Sequence, residues 1–115
     1  MTEFKVSEDM VFKMAQYIIE QKESLTPEVL SEWYNIILED YIKTAPEELK
    51  DKLEIQQDPI LPMKFNIKVS KRAIDYFIAA IEKNLNKMPK PTQIYFMKVE
   101  ELVLKKYEEE VNGKS

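Results

Sequence analysis

Apolar residues recur at three- and four-residue intervals in most of this chain, and in one stretch they alternate strictly with polar ones. The first periodic segment opens at Ser7, a good N-cap with Glu8 and Asp9 in the first turn, where the exposed N–H groups favour acids. It predicts a helix to about Glu23 with Met10, Val11, Met14, Tyr17 and Ile18 inward and Leu25 just past its end. The second opens on "TPE": Thr26 caps, Pro27 sits where its missing N–H costs nothing, and Glu28 follows. Val29, Leu30, Trp33, Ile36, Ile37 and Tyr41 then share one face.

Beyond Ile42, Thr44 and Glu47 have the spacing of a capping box, which predicts a short extra helix to about Leu53. "EIQQDPILPM" holds Pro59 and Pro62 and reads as an irregular connection. In "MKFNIKVS" the period changes to two, Met63, Phe65, Ile67 and Val69 alternating with Lys64, Asn66, Lys68 and Ser70, which is a strand pattern. Helical periodicity returns after Ser70, with Ala73, Ile74, Phe77, Ile78, Ile81 and Leu85 inward. It returns again from a cap at Thr92 to about Val111, with Tyr95, Phe96, Val99, Leu102, Val103 and Tyr107 inward.

"FKVSEDM" at Phe4 to Met10 is echoed by "IKVSKRA" at Ile67 to Ala73. The apolar stripes behind the two stretches also superpose, and Thr26 aligns with Thr92. Two copies of a lead plus an αα-hairpin would explain this; so would the ease with which any two amphipathic helices slide into register. The fold class expected is all-α: a small four-helix bundle of two αα-hairpins with a short extra helix. A two-stranded β-ribbon, Phe4 to Val6 antiparallel to Phe65 to Val69, would join the two leads. The expected organisation is one helical domain over residues 1–111, with half-units 4–43 and 67–109, a linker at 44–66 and a frayed tail at 112–115.

Composition narrows the chemistry. The 115 residues contain no Cys and no His and a single Gly. That excludes disulfides, thiolate chemistry, a Ser-His-Asp triad and ordinary zinc sites, and leaves little material for a phosphate-cradling loop. Glu47, Glu48 and Asp51 read as the acidic first turn and solvated face of the short helix rather than as a metal site. No catalytic, cofactor-binding or metal-binding residue is assigned, and the chain is expected not to be an enzyme. The polar, acidic start is unlike a secretory signal, and no apolar run approaches a membrane span; a cytoplasmic protein is expected.

The charges reverse sign along the chain. Residues 1–58 hold fourteen acidic and six basic side chains, and residues 59–115 hold seven and eleven. Two surfaces follow. A second apolar stripe on the later helices (Tyr34, Leu38, Met97, Leu104) and the proline-bracketed Ile60 and Leu61 are candidate partner-binding residues. Central packing of the stripe, and plugging of one bundle end by Ile60 and Leu61, are the competing structural roles. The basic stretch Lys64, Lys68, Lys71, Arg72, Lys87, Lys90 and Lys98 within 63–98 is a candidate polyanion surface, or else it neutralises the acidic half. The leading expectation is a bacterial or phage accessory or regulatory protein that binds a protein partner or a second copy of itself; nucleic-acid binding is the alternative.

Overall fold

The computed structural model describes residues 2–6 and 25–112, with side chains for 25–108. The fold is α+β, which overturns the four-helix bundle. Three strands, β1 (Thr2–Val6), β2 (Leu53–Gln57) and β3 (Phe65–Val69), form an antiparallel sheet in the order β1-β3-β2. Among the described residues three α-helices pack on it: α1 (Pro27–Thr44), α2 (Ile74–Leu85) and α3 (Lys90–Asn112). The helix expected from Ser7 to Glu23, with Met10, Val11, Met14, Tyr17 and Ile18, lies outside the described residues.

The two leads do pair antiparallel, with Phe4 opposite Ile67. They are two strands of three, however, because Leu53–Gln57 closes on the other side of β3 with Ile55 opposite Ile67. This third strand takes Leu53 and the first four residues, Glu54–Gln57, of the stretch expected to be an irregular connection, and the expected short helix shrinks to a 3-10 turn at Glu47–Leu49. Tyr41, buried on α1, donates its hydroxyl to Leu49 O and fixes that turn against the helix. Lys52 then enters the ladder, its carbonyl accepting from Ser70 N at 3.0 Å.

Alternation on β3 puts Phe65, Ile67 and Val69 on the inner face, where they are buried with Leu53 against the helices. α1 contributes Leu30, Tyr34, Ile37 and Tyr41, one stripe at four-, three- and four-residue steps. The expected face that included Trp33 and Ile36 is rotated toward Tyr34, and Trp33 is only half-buried. The shift follows the aromatic packing: the Tyr34 ring centroid lies 4.5 Å from Phe65 and 4.9 Å from Phe96, which in turn is 5.0 Å from Tyr95. The Tyr34 and Tyr95 hydroxyls, otherwise stranded in this apolar centre, bond to each other at 2.8 Å, as buried polar groups must.

Caps differ between the halves. Thr26 caps α1, its Oγ1 accepting from Val29 N at 3.2 Å. Thr92 instead lies inside α3 and is buried, the first turn being formed by Gln93 N on Pro89 O. Ser70 makes no side-chain cap, and a 3-10 turn, Lys71–Ala73, precedes α2. The likeness of the halves therefore does not extend to the Thr26/Thr92 pair, and among the described residues β2 has no counterpart.

Helices α1 and α2 run antiparallel, since Asp40 meets Asn84 while Thr44, one turn on, lines the same cleft as Tyr76. α1 packs against β2, and α3 packs against β1, so the two outer helices sit over opposite edges of the sheet.

Candidate protein-interaction surface

The connection from β2 to β3 is a built loop. Asp58 Oδ1 accepts from Ile60 N at 2.8 Å and Leu61 N at 2.9 Å, a side chain substituting for backbone as aspartate commonly does in turns. Asp58 N donates to Lys64 O, Lys64 N to Leu61 O, and Gln57 Nε2 to Pro62 O at 2.8 Å. The Lys64 ammonium lies 3.9 Å from Asp58. This network presents Ile60, 83% exposed, and Leu61, 41% exposed, to solvent. The expected plugging role is thereby corrected: neither side chain reaches the core, because the loop is closed on its own polar groups.

Beside the loop an open groove of about 430 Å³ is lined by Pro27, Glu28, Ser31, Glu32 and Asn35 of α1 together with Gln57 and Pro62. Glu28 and Glu32 are one turn apart, exposed, and without an ion-pair partner among the described residues. The same flank of α1 continues through Leu38, half-buried, to Ile42, 43% exposed, at the four- and three-residue spacing that keeps side chains on one face.

No family model, curated protein or solved structure matches the chain. Among the described residues no helix is long and apolar enough to cross a membrane.

The residues singled out in the sequence do not form one surface. Tyr34 is 2% exposed and belongs to the core, so it is removed from the partner-binding set. Met97 and Leu104 are exposed on α3, over the β1 edge, whereas Leu38, Ile60 and Leu61 lie on the β2 side. Ile42 extends the Tyr34–Leu38 spacing by four and belongs to the same second stripe, although it is not among the expected partner-binding residues; the groove beside the loop has no counterpart in the sequence reading.

The basic residues are dispersed and largely engaged. Arg72 lies 3.8 Å from Glu48, and Lys98 lies 3.3 Å from Glu101. The Lys71 ammonium sits 5.7 Å from the Tyr107 ring centroid, a cation–π distance. Lys64 precedes β3 while Lys71 and Arg72 follow it, so these charges flank opposite ends of a five-residue strand. Lys68 is exposed on the outer face in register with Glu54 and Glu3. Lys87 and Lys90 are exposed at the α2–α3 turn. Three of the ion pairs, those to Asp58, Glu48 and Asp40, join the basic half to the acidic half.

Two further polar features fall between helices. The Asn84 amide, buried, donates to Asp40 Oδ2 and Ala80 O, both at 2.8 Å, and Lys83 approaches Asp40 at 3.6 Å. The amide bond and, less strongly, Lys83 hold the Asp40 carboxyl below its usual range despite burial. This is an α1–α2 clasp whose groups already satisfy one another.

On α3, Glu100 has one carboxylate oxygen buried without a hydrogen-bond partner, and burial plus the nearby Glu82 charge pushes its pKa up to about 7. The unfolded chain releases this proton near the ordinary 4.5. The folded chain therefore binds it more tightly between those values, and stability falls as pH rises through that window. Glu100→Gln is expected to raise the melting temperature by a few degrees, roughly 2–5 °C, at pH 8. At pH 4, where both states carry the proton, it should change nothing. Thermal melts across pH check this; an equal effect at both values would refute the assignment.

Proposed function

We propose that the chain is a non-enzymatic, cytoplasmic protein-interaction module of accessory or regulatory type, and that it engages a larger protein through the β2–β3 loop. The observation that carries this reading is the presentation of Ile60 and Leu61 on a loop held by its own hydrogen bonds. Exposing an apolar pair in a rigid frame gives the chain no stability. It does lower the entropy lost when a partner's pocket closes over the pair. Exposed apolar side chains of this kind mark contact sites on protein surfaces.

Polyanion binding finds less support. A phosphate-tracking surface needs adjacent, uncommitted cations, and Lys64, Arg72 and Lys98 are ion-paired within the chain.

The test compares wild type with the Ile60→Asp/Leu61→Asp double variant in affinity capture from the source cells, alongside thermal melts. The expected result is loss of a captured protein with a melting temperature unchanged within about 1 °C, as for surface positions generally. Identical captured proteins, or a clear drop in melting temperature, would refute the docking role.

A further inference from the structure

Beyond the loop, β2 has an edge with no paired strand among the described residues. In an antiparallel ladder, residues alternate between directing both backbone groups at the neighbouring strand and directing both away from it. Ser70 N donates to Lys52 O, and Asp58 N donates to Lys64 O. Both pairs fall on the β2–β3 register that places Leu53 opposite Val69. The even-numbered residues Glu54 and Gln56 thus bond to β3, while Leu53, Ile55 and Gln57 turn their N–H and C=O groups outward. Among the described residues β2 pairs on one side only.

That edge runs beside the α1 flank described above. Gln57 shares a groove with Glu28, Ser31, Glu32 and Asn35, and beyond it Leu38 and Ile42 follow on the same flank of α1. A strand edge whose outward backbone groups have no strand partner among the described residues, lying under a helix, is the arrangement that receives an extended peptide: main-chain bonds supply affinity and alternate side chains enter the groove. The edge also lacks the usual protections. Of its five residues only Glu54 is charged, and there is no proline within it.

We infer that this groove binds an extended, lysine- or arginine-bearing segment of another protein, which adds to β2 as a fourth strand. Charge selects that occupant. Glu28, Glu32 and Glu39 are exposed along α1 with no ion-pair partner among the described residues. A second copy docking through its own β2 would bring two such acidic helices together, whereas a basic segment matches them. The inference rests on the interaction-module reading and names the partner's chemistry. Ile60 and Leu61 would then contact the same partner just beyond the end of the added strand.

The test pans a random peptide display library on the full chain. A synthetic copy of the enriched sequence is then used in amide exchange and titration. The expected sequences combine lysine or arginine with alternating apolar positions. Their binding should slow exchange at Ile55 and Gln57 by about tenfold or more, with little change at Glu54 and Gln56, which already bond to β3. Ile55→Pro, which removes an outward N–H without breaking the β3 ladder, should weaken binding by about tenfold or more, as should Glu28→Lys/Glu32→Lys.

No enrichment, enrichment of acidic peptides, or affinity unaffected by the charge reversal overturns the inference. So does slow exchange at Ile55 without peptide that strengthens with protein concentration, since a second copy would then occupy the edge. Peptides that perturb Ile60 and Leu61 but leave Ile55 unprotected would overturn the groove while leaving the interaction-module reading standing.

Discussion

Phe65→Ala is expected to lower the unfolding free energy by about 3–5 kcal/mol, the largest single effect among the substitutions considered. Phe65 begins β3, is buried, and lies against Tyr34 of α1. Its ring is where sheet and helix layer meet, so truncation removes the transfer energy of a phenyl group and leaves a cavity beside the Tyr34 ring. Urea titration checks this: the midpoint should fall with an unchanged slope. A loss below about 1 kcal/mol would mean that Phe65 is a surface residue of a flexible lead.

The second large effect is a non-additive one. Tyr34 and Tyr95 satisfy each other's hydroxyls where both side chains are buried. Burial is the main cause that raises both hydroxyl pKa values well above the usual 10. Tyr34→Phe or Tyr95→Phe alone strands one hydroxyl and should cost about 1–3 kcal/mol. The double variant strands none and should recover most of that loss, giving a coupling of about 1 kcal/mol or more in a double-mutant cycle. Additive losses would show that the two hydroxyls find other partners.

Much of the fold is legible in the sequence where local signals are strong. Thr26-Pro27 starts α1 as the cap chemistry dictates, and the alternation from Phe65 to Val69 is a strand. The repeated "KVS" marks the two strands β1 and β3 that pair. β2 is not legible. With Leu53 and Ile55 as its only apolar residues, its extended form depends on the ladder to β3, which is a tertiary interaction that no window of sequence contains. Missing it turned an α+β fold into a four-helix bundle.

Caps were misread for a related reason. Thr92 has the right side chain, but Lys90 and Pro91 are already helical and Gln93 turns to donate to Leu85 O at 2.7 Å, joining α3 to the end of α2. Of the candidate site, Ile60, Leu61 and Leu38 were visible as apolar residues at unusual positions. The groove was not, because it needs β2 to exist. Tyr34 was misplaced because four-residue spacing alone does not say which of two adjacent stripes faces the sheet.

β2 therefore carries both the correction to the fold and the proposed docking edge. The most direct measurement is residue-resolved amide exchange on the free chain across Lys52 to Asp58. Alternation is expected, with Glu54 and Gln56 exchanging slowly and Ile55 and Gln57 rapidly. Rapid exchange at all four would mean there is no strand, and slow exchange at all four would mean its outer edge is already covered; either result would contradict the account.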